Sequence, residues 1–464
     1  MKLHLLLFVL IFLLNNLKAQ TLNAEQLIQI VKQYHPIVRQ AQIDIEFANA
    51  NITIAKGAFD PVLSTYITQK TFNGVKYYNE TSPQLFIPTW YGIEVYTGLQ
   101  NLNGTRLDPT ETQGRSSYFG VNIPLAKNLV LDKRRAFLQQ SKLFNTMSMV
   151  EKKVVVNNIL VDALQQYWAW VNAYATYKVI SNNVAVNQKR LQFINTTVKY
   201  GERAALDTTE ALAQLQSFQL LQNDKYLEFQ NAGIQLNAYL WQANNISYNL
   251  PANVVPQDGW ENETNINNFN LVLEDLLTMA ERNHPELQVY DVKLKILDIN
   301  KKLKFQELLP KLDFQYNQLS KGFNLFNTIA EGPLFRNNFR YGLKFEMPLR
   351  LSKGRGEYKQ AKLKIEETQI DVAFKRQSIL FKVRQYFNEF INLRNQITLQ
   401  SANYSNYMRL VKGEEIRFLN GESSLFLINA RENKALEAQE KLVSLKTKYF
   451  KTIYTLQWSA GLLQ

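Results

Sequence analysis

Two periodicities divide the chain between them. From Leu212 to Leu240 the apolar positions Leu215, Phe218, Phe229, Leu236 and Leu240 recur at multiples of 3.5 to 3.6 residues, the spacing of an amphipathic helix. Such spacing lies within one of two proline-free stretches, residues 125–250 and 349–464, both rich in the helix formers Leu, Ala, Gln, Lys and Glu. Each stretch is broken near its middle by a Gly-Glu pair, Gly201-Glu202 in "KYGERAALDTTEA" and Gly421-Glu422 in "LNGESSLFLINAR". Glycine suits the left-handed backbone of a helix end, so each stretch reads as a helical hairpin turning at its glycine. Wholly helical, the run from Leu125 to Tyr200 would extend roughly 110 Å. A compact globule of this chain length has a radius of gyration of only about 23 Å. The helices are therefore expected to form a projection.

Between these stretches the period falls to two. In "FRYGLKFEMPL", Phe339, Tyr341, Leu343, Phe345 and Met347 alternate with Arg340, Gly342, Lys344 and Glu346. In "KLDFQYNQ", Leu312, Phe314 and Tyr316 alternate with Lys311, Asp313, Gln315 and Asn317. Phe119, Val121, Ile123 and Leu125 repeat the pattern more softly, and Val62 to Thr71 forms the fourth candidate strand. Alternation puts apolar side chains on one face and polar ones on the other. That fits a soluble sheet with one buried face, and it also fits a membrane wall. Four strands are too few to close a transmembrane barrel, and an open edge cannot face lipid. A membrane reading therefore requires several chains.

The landmarks occur twice in the same order. The interval from His35-Pro36 to His284-Pro285 equals that from Pro61 to Pro310. It is shorter from Pro124 to Pro348, and shorter again from Gly201 to Gly421. The pattern predicts an internal duplication whose first copy carries a longer insertion around Asn73 to Ser117. The expected organisation is a leader at residues 1–19, a first repeat at 20–250, a linker at 251–269 and a second repeat at 270–464.

Composition narrows the function. The opening "MKLHLLLFVLIFLLNNLKAQ" has Lys2, an apolar run from Leu5 to Leu14 and Ala19 before Gln20, the form of a secretory signal peptide. No later segment is apolar enough for a membrane helix. Among 464 residues there is no cysteine, which excludes thiol catalysis, disulfides and a lipid anchor on cysteine. The net charge of +13 is interleaved, as in "KLKIEETQIDVAFKR", which is the pattern of solvated helix faces and gives no nucleic-acid partner. No His-Glu-x-x-His, P-loop or Gly-x-Gly-x-x-Gly motif occurs, so no metal, cofactor or catalytic residue is expected. His35 and His284 are the one exception worth weighing, as a base for a serine nucleophile. Their equivalent places before proline fit helix boundaries better.

Taken together, the chain resembles the TolC-type outer-membrane efflux family. The likeness is carried by "TLNAEQLIQIVKQYHPIVRQAQIDIEFANANITIAKGAFDPVLS" and its second copy "LVLEDLLTMAERNHPELQVYDVKLKILDINKKLKFQELLPKLDF". It is carried also by the strand-to-helix passages "YFGVNIPLAKNLVLDKRR" and "YGLKFEMPLRLSKGRGEYKQAK" and by the two glycine turns. The resemblance implies a mixed α and β membrane protein and a homotrimer. Each chain would give four strands to one twelve-stranded barrel in outer-membrane lipid, with the hairpins forming a periplasmic α-helical barrel. It implies docking to a periplasmic adaptor and an inner-membrane pump or secretion transporter, with cargo passing through the duct.

On that resemblance, Phe314, Tyr316, Phe339, Tyr341 and Phe345 would face lipid, and Asp313, Gln315, Lys344 and Glu346 the lumen. Tyr77, Tyr78, Trp90 and Tyr91 would serve an aromatic belt or an extracellular loop, or else form a packed loop core. Gly201, Glu202, Gly421 and Glu422 would mark the docking tips. Asp207 matches the acidic residues that narrow the pore in the family, or else it is a solvated or capping aspartate near a helix start. Leu427 and Ala430 depart from that acidic pattern and suggest an apolar constriction. The alternative is a periplasmic coiled-coil adaptor or structural protein, which accounts for the hairpins but not for the strands.

Overall fold

The structure is a computed structural model that describes residues 21–108, 110–251, 253–262, 269, 271–324 and 334–463. The expected leader and part of the linker lie outside the described residues. Two compact units are present, and they do not follow the two sequence halves, because each draws segments from both.

The strand unit comprises Ile43–Val150 and Gln288–Phe374. The short β1 (Thr21–Leu22) belongs to the other unit; the large sheet here contains β2 (Val62–Phe72), β3 (Val75–Pro88), β4 (Glu94–Asn103) and β5 (Gly114–Pro124). Two strands from the second half, β9 (Lys311–Lys321) and β10 (Phe339–Glu346), complete it. The order is β10-β9-β5-β4-β3-β2 and every pairing is antiparallel. The expectation of four strands thus needs correction: the sheet has six. The insertion expected around Asn73 to Ser117 supplies the two additional strands, β3 and β4. Asn73 (φ 49°) and Gly74 (φ 74°) both take the left-handed conformation that a two-residue hairpin turn requires.

Beyond Pro124 the chain stays attached to the second half before turning helical. Leu125 N–H donates to Leu312 O (2.7 Å) and Lys127 N–H to Pro310 O (3.1 Å), so helix begins at Lys133 rather than near Leu125. The ion pairs Lys127–Glu307 (2.6 Å) and Arg134–Glu94 (2.8 Å) fix this junction. Small apolar clusters, Ala55–Phe59–Leu138 and Leu131–Ala136–Ile299, pack the helices that enter the unit.

The helical unit comprises residues up to Gln42, Glu151–Leu287 and Lys375 onward. Its elements begin with α1 (Ala24–Tyr34), closed by a capping box between Asn23 and Gln26, and α2 (Pro36–Gly57), which runs on into the strand unit. The long helices α3 (Lys133–Lys199) and α4 (Ala205–Asn237) form the first hairpin. Then come β6 (Trp241–Gln242), β7 (Ile246–Ser247) and β8 (Val255–Pro256), the last paired in parallel with β1. A second short helix α5 (Leu273–Asn283) and its successor α6 (Pro285–Gln306) follow, and α7 (Ser352–Leu419) and α8 (Leu425–Ser459) form the second hairpin. The main core gathers Leu160, Leu164 and Trp170 of α3, Leu276 of α5, Phe390 of α7, and Tyr449, Ile453 and Leu456 of α8.

Both His-Pro pairs sit at breaks between helices. His35 and His284 are the C-caps of α1 and α5. Each is buried, and each Nδ1 accepts a backbone N–H two residues on, from Ile37 (3.3 Å) and Glu286 (3.2 Å). Burial lowers both histidine pKa values, that of His284 to about 4. These are neutral capping groups at the point where proline stops one helix and starts the next.

Candidate functional site

The strands place their residues on two contrasting faces. Tyr341 pairs with Tyr316, Leu343 with Phe314 and Phe345 with Leu312, so these side chains share one face with Phe339. Lys344 pairs with Asp313 and Gly342 with Gln315, placing Asp313, Gln315, Lys344 and Glu346 together on the other. The register therefore brings together the members of each predicted set. The apolar face continues through Ile123 and Val121 of β5, Val95 of β4, Ile87 and Leu85 of β3 and Leu63 of β2.

The polar face is bonded across strands. Asn122 Nδ2 donates to Glu94 (2.9 Å) and Gln100 Nε2 to Glu80 (3.0 Å), while Ser82 Oγ also donates to Glu80 (2.5 Å). These bonds tie neighbouring strands together through polar side chains and leave a hydrophilic surface.

Tyr316 differs from its companions. Phe335 covers it at 4.6 Å between ring centroids, and its hydroxyl donates to Gln318 (2.7 Å) and accepts the Phe335 N–H (3.2 Å). Among the aromatic residues of the insertion, Tyr77 and Tyr78 belong to β3, and Lys70 and Arg106 both lie over the Tyr77 ring. Trp90, between β3 and β4, stacks on Phe59 at 4.2 Å yet remains half-exposed, and Tyr91 is exposed.

At the glycine turns, Gly201 (φ 75°) and Gly421 (φ 79°) adopt the left-handed backbone. Gly201 N–H donates to Val198 O (3.0 Å) and Glu202 N–H to Thr197 O (3.0 Å). Gly421 N–H donates to Phe418 O (3.1 Å) and Glu422 N–H to Arg417 O (2.8 Å). Each pair is a Schellman closure, which satisfies the last carbonyls of a helix and reverses the chain.

Arg203 joins the two turns. Its Nη2 donates to Phe418 O (2.7 Å), and its guanidinium lies 3.5 Å from the centre of the Phe418 ring. Asp207 is in the first turn of α4 and is not the cap, a position held by Ala204; it faces Arg203 at 3.8 Å. Leu427 and Ala430 are exposed on the first turns of α8, beside the buried Leu425 and Ile428.

Sequence reasoning missed the polar cluster beneath these turns. Arg190 of α3 makes two bonds of 2.6 Å to Glu432 of α8 and one of 3.2 Å to Glu415 of α7. Asn429 donates to Glu210 (3.2 Å) and Gln214 to Asn433 (3.0 Å), again tying hairpin to hairpin. The signal was present in part: Asn187 interrupts the stripe Val184, Leu191, Ile194, marking a polar position on a buried face. Its partners lie far off in sequence and no local spacing names them.

Among the described residues, no group of three or more His, Cys, Asp and Glu side chains could hold a metal ion, and no helix is long and apolar enough to cross a membrane.

No family model matches the chain, and no curated protein does. Solved structures do. The CmeC outer membrane channel of Campylobacter jejuni is 15% identical, with 94% of this chain and 85% of that chain covered and a TM-score of 0.61. The outer membrane protein VceC of Vibrio cholerae is 13% identical over 94% of this chain and 96% of that one, with a TM-score of 0.62. The MtrE outer membrane channel of Neisseria gonorrhoeae is 12% identical over 95% and 89%, with a TM-score of 0.63. The chain shares its fold with these outer-membrane channels, the fold of the TolC type.

Proposed function

We propose that the protein is an outer-membrane channel, the exit duct of a tripartite efflux pump or a type I secretion system. The observation that carries the reading is the sheet itself. One face is mainly apolar from β2 to β10, the other is a bonded polar ladder, and both edges are open within one chain. An open sheet cannot stand in lipid, so copies close it together, and a homotrimer is the assembly that the shared fold supports. The apolar face, with Phe314, Tyr316, Phe339, Tyr341 and Phe345, then meets outer-membrane lipid, and Asp313, Gln315, Lys344 and Glu346 line the lumen. The leader read at residues 1–19 exports the chain.

The hairpins form the periplasmic tunnel. A periplasmic adaptor docks at the tips around Gly201, Glu202, Gly421 and Glu422, and the inner-membrane pump supplies the energy. Asp207, Leu427 and Ala430 lie on the first turns after these tips and form the narrowest ring. A catalytic role is not part of this reading, and nor is a cofactor. The paired element lengths support duplication: α1 and α5 both have 11 residues, α2 and α6 both have 22, and α3 and α7 have 67 and 68.

Planar-bilayer recording tests the proposal. Purified protein is expected to form discrete channels, and Leu427→Asp is expected to change their conductance. Absence of channels refutes the duct; unchanged conductance in Leu427→Asp refutes the constriction alone. The adaptor reading leaves the exposed apolar face unexplained and predicts protein recovered outside the outer membrane.

A further inference from the structure

We infer that each copy contributes six strands to the barrel wall, not four, and that the wall closes by antiparallel pairing of β2 of one copy with β10 of the next. This rests on the outer-membrane reading above and specifies its architecture.

The first observation is height. Ile87 of β3 pairs with Val95 of β4, Val95 with Val121 of β5, Val121 with Tyr316 of β9, and Tyr316 with Tyr341 of β10. One row further from the helix-bearing ends of the strands, Leu63, Leu85, Thr97, Phe119, Gln318 and Phe339 cross all six strands. The apolar residues of β3 and β4 therefore stand level with those of β9 and β10. A hairpin projecting above the membrane would sit beyond the ends of β5 and β9, not beside them.

The second observation is length. β3 has 14 residues, β4 has 10, and β2 and β5 have 11 each. A membrane strand needs about 9–11. The inserted strands are as long as the others, and they continue both faces: Leu85, Ile87, Val95 and Leu99 on the apolar side, Gln84, Tyr96 and Gln100 on the polar side.

The third observation is the edges. β2 and β10 are exposed along almost their whole lengths, with Leu63 77%, Ile67 72%, Leu343 62% and Phe345 64% accessible. Long apolar edges of this kind are templates for another strand. Because the sheet has an even number of antiparallel strands, β2 and β10 run in opposite directions. Joining β2 of one copy to β10 of a second copy thus continues the antiparallel ladder and keeps apolar face with apolar face. Three copies give eighteen strands and a backbone diameter of roughly 36 Å, against roughly 24 Å for twelve.

The experiment exploits the absence of cysteine. Full-length single-cysteine variants are spin-labelled and reconstituted in phosphatidylcholine vesicles, and collision with oxygen, which enters lipid, is compared with collision with a water-soluble nickel complex. The sites are Leu85→Cys, Ile87→Cys, Val95→Cys and Leu99→Cys, with Gln84→Cys, Tyr96→Cys and Gln100→Cys as their opposite-face partners. Tyr341→Cys, Leu343→Cys and Lys344→Cys report on β10. Accessibility is expected to alternate with period two in β3 and β4 as in β10. Uniform nickel access in β3 and β4, with alternation in β10, overturns the six-strand wall and leaves the outer-membrane reading standing. No alternation in β10 overturns both. Edge pairing is read separately by oxidising double variants that combine Leu63→Cys, Thr65→Cys or Ile67→Cys with Tyr341→Cys, Leu343→Cys or Phe345→Cys. A ladder of covalent oligomers from at least one combination is expected, and its absence from all of them overturns the β2–β10 joint.

Discussion

Glu432→Ala should loosen the hairpins more than any surface change near the tips. Arg190 and Glu432 are only 10% and 8% exposed at the side chain, and they meet through two bonds of 2.6 Å. The geometry is the parallel fork of a guanidinium on a carboxylate. Removing the carboxylate leaves Arg190 with the more exposed Glu415 at 3.2 Å and Asn187 at 3.4 Å. A buried cation stripped of its main partner costs about 3–5 kcal/mol. Replacing both groups with apolar residues of similar volume, Arg190→Met with Glu432→Leu, should recover most of that loss, because neither charge is then buried unpaired. Native-state hydrogen exchange of residues 187–194 and 429–436 reads the effect locally. A loss of 3 kcal/mol accelerates exchange through opening about 150-fold. Acceleration below about fivefold in Glu432→Ala, or a double variant no better than the single one, would refute the view that this pair holds α3 to α8.

Three further outcomes follow from the geometry. Gly201→Ala and Gly421→Ala should each destabilise their tips by roughly 1–2 kcal/mol, read by limited proteolysis, since an added Cβ meets nothing within 4 Å and only the left-handed backbone is strained. Arg203→Ala should destabilise the turns more than Asp207→Ala in the same assay, because Arg203 loses a carbonyl and a ring on Phe418 while Asp207 loses one part-exposed contact at 3.8 Å. The third concerns acid. Burial, opposed by Glu286 and aided by Lys375 and Lys382, holds His284 at about 4, below its ordinary 6.5. The folded state then binds fewer protons between these values, so this contribution is complete above pH 6.5 and is lost as pH falls towards 4, amounting to about 3 kcal/mol. Thermal melts across that window should show a steeper decline for the native chain than for His284→Asn, which keeps an acceptor for the Glu286 N–H.

What was legible in the sequence was whatever backbone chemistry imposes locally. The glycine turns could be placed because a left-handed residue at a helix end favours glycine, and the proline-free stretches because proline breaks helices. Strands β9 and β10 were readable because their two faces differ sharply. β3 and β4 were not, since Phe86 and Tyr96 stand on the polar face while Thr81, Pro83 and Thr97 stand on the apolar one. The better signal there was Asn73-Gly74, a hairpin turn recognised by its conformation and not by its flanks. The start of α3 was misplaced because Leu125 and Lys127 bond to the distant residues Leu312 and Pro310. Arg190 and Glu432 meet for the same kind of reason, through tertiary packing that no local window contains.

The unequal halves of the sheet also make physical sense. The first half supplies four strands and the second two, yet the helices match closely in length, with 33 residues in α4 and 35 in α8. Helices that pack along one another lose buried contact when one is shortened, so their lengths are constrained together. A sheet can grow without that penalty if it grows by a whole hairpin. Adding β3 and β4 as a pair keeps the direction of β5, and with it the passage from Pro124 to α3, while β2 still enters from α2. A single added strand would deliver the chain to the wrong end of the sheet. Growth by two is therefore the smallest change in the sheet that keeps the entry from α2 and the exit to α3 in place, and on the six-strand wall inferred above it predicts that the insertion after Asn73 alters pore width without altering the tips.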